Sequence, residues 1–103
     1  MTDEKKENWP KAPDNFSQKA KVLYSEYVGT VIRAPAAIAL LVAGLESFDR
    51  MNEARSLVRK EGLTTKTGKS GVLHVHPALA IEKEAKAQFI RIWRTLARVY
   101  RPF

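Results

Sequence analysis

The segment PALAIEKEAKAQFIRIWRTLARVY, residues 77–100, predicts one long amphipathic helix that decides much of the fold. At about 100° per residue, six of its side chains fall on one apolar side: Phe89, Ile92, Trp93, Leu96, Ala97 and Tyr100. No acid follows Glu84, and the opposite side carries four arginines: Arg91, Arg94, Arg98 and Arg101. We therefore expect this helix to bury its apolar side and to present arginines on the other.

Two further helices are predicted upstream of this segment. The first begins near Ser17 and weakens or ends at Gly29. Its start is left open by three suitable N-cap residues: Asp14, Asn15 and Ser17. The second helix begins at Pro35 and ends at Gly62, because proline suits a first helical turn and glycine suits a C-cap. We expect these two helices to form a helical hairpin against which the last helix closes.

The first half of the second helix is crowded with small residues: Ala36, Ala37, Ala39, Ala43 and Gly44. Small side chains allow another backbone to approach closely. The pattern leaves open whether helix one or a neighbouring subunit makes that approach.

Residues 63–76 break the helical period with threonines, glycines and β-branched residues. A solvated loop and a short β-hairpin around residues 68–71 both fit this composition. Residues 1–13 are polar and interrupted by prolines, so we expect a flexible tail in which Trp9 is exposed, with docking on a partner as the alternative. The predicted fold class is thus all-α, with a single helical domain over residues 14–103.

The chain of 103 residues contains no cysteine and carries a net charge of +7. Its N-terminus has no apolar run, and the longest apolar stretch, residues 34–45, is shorter than the ~18 residues that a membrane span needs, so we expect a cytoplasmic protein. Residues 1–61 hold ten basic and nine acidic side chains, whereas residues 62–103 hold eight and two. A positive field concentrated in this way favours a polyanionic partner, and nucleic acid is the leading class.

The arginines of the last helix are the main candidate site. Arginine pairs bidentately with phosphate, so we predict that Arg91, Arg94, Arg98 and Arg101 contact a DNA backbone, with support from Lys66 and Lys69 on the glycine-flanked segment. Acidic residues of another subunit or of a partner protein are the alternative ligands. A cationic C-terminal helix end, which the helix dipole favours, is the purely structural interpretation.

Catalysis and metal binding are not expected from the remaining motifs. Residues 67–70 resemble part of a phosphate-binding loop, but Leu63 stands where its first glycine is required and a helix precedes instead of a strand. His74 and His76 alternate, so they share a face in a strand, but two ligands do not make a metal site and a structural role is favoured. We expect no cofactor, no metal and no enzymatic activity.

Three stretches taken in order resemble the small subunit of phage terminases, in its short helical family without an obvious N-terminal helix-turn-helix. The first is Phe16-Ser17-x-x-Ala20-x-x-x-Tyr24-x-x-x-Val28, and the second is the long helix from Ala37 through Asp49 to Glu61-Gly62. The third runs from Thr64-Thr65-x-x-Gly68 through His76-Pro77-Ala78-Leu79 into residues 80–96. The resemblance as a whole covers residues 14–98.

This resemblance implies a homo-oligomeric, ring-forming protein without catalysis of its own. Such a protein recognises double-stranded viral DNA and presents it to the terminase large subunit, which holds the ATPase and the nuclease. The expected location is the cytoplasm of an infected bacterial host. The alternative function is a non-enzymatic helical interaction module whose arginine face pairs with an acidic partner.

Overall fold

The computed structural model describes residues 9–62, 64–67 and 72–100, with side chains described for residues 9–62 and 75–100. Its elements are helix α1 (Gln18–Tyr27), helix α2 (Pro35–Glu61), strands β1 (Thr64–Thr67) and β2 (Val72–Val75), and helix α3 (Pro77–Val99). The predicted all-α class is confirmed, because the three helices form the body of the fold. Between α2 and α3 the two short strands pair antiparallel, with Thr64 opposite Val75 and Thr67 opposite Val72.

Helix α1 begins where the side chain of Ser17 caps it. The hydroxyl oxygen of Ser17 accepts a hydrogen bond from the backbone N–H of Ala20 at 3.1 Å, so Ser17 is the N-cap among the three candidates. The Asp49 carboxylate on α2 accepts the Ser17 backbone N–H at 2.9 Å and also the Ser17 hydroxyl. After α1 the chain turns through Gly29, whose φ of 87° is a conformation that glycine adopts without a Cβ clash.

Helix α2 has the predicted bounds at both ends. Pro35 occupies its first turn, where no intrahelical partner is needed for the missing N–H. Gly62 is the C-cap, with φ 90°, and its N–H donates to the carbonyl of Val58. Arg59 and Lys60 lie in the last turn, where the helix dipole favours positive charge.

The most extensive packing joins α2 to α3, whereas α1 and α2, the partners of the predicted helical hairpin, pack on each other less extensively. The two long helices are linked by the short hairpin and run antiparallel. Gly44 on α2 lies so close to α3 that a Cβ added there would stand 2.8 Å from Cγ2 of Ile92. Phe48 packs on Phe89 with ring centroids 5.4 Å apart. At Gly44 it is thus α3, rather than helix one or a neighbouring subunit, that closely approaches α2.

The core is concentrated at one end of this long hairpin. Its largest fully buried side chains come from the turn after α1, from α2 and from α3: Ile32, Leu41, Leu45 and Leu96. A second, smaller cluster joins Ala54, Val58 and Ala78 toward the strands. The radius of gyration is 17.5 Å, against about 13 Å for a compact domain of this length. The strand-proximal halves of α2 and α3 therefore form a two-helix arm beyond the main core.

Residues 9–13, which the sequence assigns to a flexible tail, pack on α1 and the turn after it. The indole of Trp9 covers Gly29, where an added Cβ would stand 2.6 Å from Cδ1 of Trp9. The hydroxyl of Tyr24 donates to the carbonyl of Pro10 at 2.6 Å. The expectation of an exposed Trp9 is wrong, because the absence of a Cβ at Gly29 leaves room for the indole to pack there. Residues 1–8 lie outside the described part of the chain.

No helix within the described ranges combines the length and the apolar character required to cross a bilayer.

Candidate nucleic-acid interface

The three described arginines of the predicted set lie together on the outer side of α3. We call Arg91, Arg94 and Arg98 the arginine stripe; all three side chains are exposed. They line a groove of about 420 Å³ together with Ala87, Ile90 and Thr95. The sequence prediction of a shared arginine face on the last helix is confirmed for these three positions.

Packing of the opposite side of α3 fixes the direction of the arginine stripe. Leu96 is 1% exposed, and Ile92 and Trp93 pack against the same cluster. Residues three or four positions apart share one side of a helix, so burying this side turns the arginines outward. The hydroxyl of Thr95, which lies between Arg94 and Arg98 in the sequence, donates to the backbone carbonyl of Arg91 at 2.9 Å.

Within the described ranges, no carboxylate forms a salt bridge with the arginine stripe. The salt bridge found there joins Arg55 to Glu82 at 3.0 Å on the two-helix arm, where Glu61 also accepts a hydrogen bond from His76 at 2.7 Å. Three fixed positive charges are therefore available to an outside ligand. Arg91 and Arg98 are separated by about 10 Å along the helix axis, close to the rise of three base pairs.

The other predicted DNA contacts are not brought to this site by any described side chain. Lys66 belongs to β1, where its backbone pairs opposite Leu73. Lys69 and Arg101 fall outside the described residues, and so does the side chain of Lys66. The described site thus consists of the arginine stripe and its groove.

His76 has a structural role, as the sequence favoured, but as a helix cap. It is the N-cap of α3, and its Nδ1 accepts the backbone N–H of Ala78 at 3.0 Å. Because Nδ1 accepts, the proton belongs on Nε2, which donates to Oε1 of Glu61 at 2.7 Å. His76 therefore ties the end of α2 to the start of α3. The side chain of His74 is outside the described set.

A second charged surface, on α2, was not singled out by the sequence. We call Glu46, Asp49 and Glu53 the acidic stripe; Glu46 and Glu53 are exposed, while Asp49 is partly buried against Ser17. In the sequence Arg50 stands between Asp49 and Glu53, so the acids resemble part of an ordinary mixed polar face. Their spacing of three and then four residues places them on one side of α2, and this spacing was the sequence signal that could have predicted the acidic stripe.

Metal chemistry has no donor set in the parts of the chain that the structure describes. No group of three or more histidine, aspartate or glutamate side chains comes together there.

Comparison with known proteins yields no match to a family model, to a curated protein or to a solved structure.

Proposed function

We propose that this protein is a DNA-recognition component of a viral genome-packaging motor, corresponding to a terminase small subunit. It binds double-stranded phage DNA and presents it to the large subunit, which supplies the ATPase and nuclease activities. It acts as a homo-oligomeric ring in the cytoplasm of the infected bacterium. The sequence resemblance over residues 14–98 motivates the packaging role.

The observation that carries the DNA-binding part is the arginine stripe, three exposed guanidinium groups aligned along a groove and unpaired with any described carboxylate. Guanidinium groups match phosphate oxygens in geometry as well as in charge. Guanidinium groups spaced along one side of a helix can contact successive phosphates of a DNA strand. No described side chain is arranged to hydrogen-bond base edges. Binding through this surface is expected to depend weakly on DNA sequence.

The decisive experiment measures binding of a fluorescent duplex by anisotropy at several salt concentrations. The test variant is Arg91→Ala, Arg94→Ala, Arg98→Ala. Each phosphate contact adds about 0.9 to the slope of log affinity against log salt, so losing three reduces that slope by about 2.7. Between 50 and 200 mM salt, the wild type then loses about 40-fold more affinity than the variant loses.

The matched control is Lys11→Ala, Lys19→Ala, Arg33→Ala, which removes the same charge from exposed positions away from the stripe. We expect this control to retain nearly the wild-type salt slope. Equal slopes for the wild type and the arginine-stripe variant would refute the assignment of the site. Loss of the slope in both variants would indicate attraction by net charge alone.

The packaging role has a separate test. Purified large subunit is immobilised, and binding of this protein is measured with and without duplex DNA. We expect the large subunit to retain this protein, and to retain more of it when DNA is present. If the protein is retained neither with nor without DNA, the packaging assignment is contradicted while DNA binding is left intact.

A helical interaction module that pairs its arginine face with an acidic partner remains the second candidate. It is favoured by one specific observation, the acidic stripe on α2 of this same chain.

A further inference from the structure

The acidic stripe and the arginine stripe lie on opposite sides of the molecule. Helices α2 and α3 face each other through contacts such as Gly44 with Ile92 and Phe48 with Phe89. Glu46 and Glu53 lie about half a turn away from that contact side of α2, and the arginine stripe lies about half a turn away from the contact side of α3. The two surfaces therefore point away from each other and do not pair within one protomer.

The charges on these surfaces follow matching seven-residue spacings. On α2 the order is acid, acid, base at Glu46, Glu53 and Lys60, and all three residues are exposed. On α3 the order is acid, base, base at Glu84, Arg91 and Arg98, and these are exposed as well. Seven residues is close to two helical turns, so each set forms one straight row.

Only one relative direction of these two rows matches opposite charges throughout. In an antiparallel alignment the pairs are Glu46 with Arg98, Glu53 with Arg91, and Lys60 with Glu84. A parallel alignment in the same register places Glu46 against Glu84 and Lys60 against Arg98, which are repulsive. The charges therefore favour the antiparallel alignment and also disfavour the parallel one, because like charges at contact are unfavourable.

We propose that α3 of one copy docks against α2 of the next copy through these two rows, in antiparallel register. Within a protomer α2 and α3 are already antiparallel. Placing a second copy beside the first in the same orientation consequently brings an α3 next to an antiparallel α2. The partner that fits the groove of the arginine stripe is a second copy of this chain.

Some neighbouring residues of α2 and α3 fit this register, beside the start of α1, where residues 15–19 border the acidic stripe. Leu57, an exposed apolar residue of α2 at 44% exposure, comes opposite Ala87, a small residue that lines the groove. Asp49 comes level with Arg94 on one side of the contact. Arg50, the one cation within the acidic row, falls on the other side near Thr95 and away from the arginines.

This interface uses different surfaces on the two partners, so in a pair one copy keeps a free acidic stripe and the other keeps a free arginine stripe. Such heterologous contacts propagate into a ring or an open array, according to whether the rotation between copies closes. The carboxylates of a neighbour and the phosphates of DNA seek the same guanidinium groups. If the proposed DNA site is correct, duplex DNA and the next copy compete for the arginine stripe.

A charge-swap experiment tests the interface without DNA. One variant carries Arg91→Glu and Arg98→Glu, and the other carries Glu46→Arg and Glu53→Arg. Sedimentation velocity at low ionic strength is expected to show self-association of the wild type above its 11.6 kDa monomer mass and monomers for each variant alone. Mixing the variants restores association, because the acidic α3 of one then faces the basic α2 of the other.

The control variant Lys11→Glu, Arg33→Glu carries the same charge change as the α3 variant at exposed positions outside both rows, and it should associate like the wild type. Circular dichroism confirms that every variant keeps its helices. The interface is overturned if the wild type stays monomeric up to about 1 mM. It is also overturned if either variant associates normally by itself or if the mixture does not associate.

The DNA site and the interface fail separately in this design. An α3 variant that loses DNA binding but still self-associates refutes the interface and leaves the proposed function intact. Normal charge-swap rescue in a protein that does not bind duplex DNA refutes the proposed function alone. Dissociation of the wild-type assembly by duplex DNA supports the shared use of the arginine stripe and contradicts DNA binding by the intact ring.

Discussion

Replacing Gly44 with alanine tests the close approach of α2 and α3, which holds the arginine stripe in place. Two effects of opposite sign act at this position. Alanine is more favourable than glycine in a helix interior by about 1 kcal/mol. Its Cβ, however, would stand 2.8 Å from Cγ2 of Ile92, a distance that requires one of the two helices to shift.

The clash is expected to win. Cγ2 of Ile92 is attached directly to its Cβ, so it moves only with the backbone or with a change of rotamer that a β-branched residue resists. Inserting a methyl group into a packed contact of this kind costs about 1–3 kcal/mol. Subtracting the helix-propensity gain leaves Gly44→Ala destabilised by up to about 2 kcal/mol.

The assay is urea unfolding followed by circular dichroism at 222 nm, with Ile92→Ala and the double variant completing a cycle. Ile92→Ala alone is destabilising because it leaves a cavity, but it removes the methyl group that clashes. Adding Gly44→Ala to that background should therefore be stabilising by up to about 1 kcal/mol. A stabilising Gly44→Ala in the wild-type background would refute the close approach of the two helices at this level.

Two further predictions concern the ends of the fold. His76→Ala removes the N-cap of α3 and its link to Glu61, so we expect urea unfolding to show a free energy of unfolding lower by about 0.5–2 kcal/mol. His76→Asn can still cap the helix and should recover part of this loss. Equal losses in both variants would contradict the capping role. Burial raises the pKa of Tyr24, so the folded state retains the phenol proton more tightly than the unfolded state. The resulting stability is present below about pH 10 and is lost as the pH rises through the folded-state pKa. In Tyr24→Phe, the urea midpoint should decrease less as the pH rises into the alkaline range. Stability at neutral pH should also be lower, because the hydrogen bond to Pro10 is lost. An unchanged alkaline profile would argue against the buried hydroxyl.

The bounds of the helices could be predicted because their signals are local. Pro35 and Gly62 delimit α2 through the conformations that proline and glycine allow, independently of the rest of the chain. The arginine stripe was equally accessible to sequence analysis, since the periodicity of a single helix places Arg91, Arg94 and Arg98 on one side. These features depend only on residues within one or two helical turns of each other.

The other part of the candidate surface depends on how the helices are arranged. The acids of α2 are unremarkable in the sequence, and their significance comes from lying on the side of the molecule opposite the arginines. That relation follows from which faces of α2 and α3 are buried together. The sequence left helix one and another subunit as candidates for the small-residue face of α2, because each offers an apolar surface.

The amino-acid sequence by itself therefore determined the three helices, the caps of α2 and the arginine stripe. Only the tertiary structure decided that α3 packs against Gly44, that Trp9 covers Gly29, and that His76 joins Glu61 across the base of the hairpin. The physical reason is that capping and helical periodicity act over a few residues. Packing instead selects, among several similar apolar faces, the pair whose shapes fit most closely.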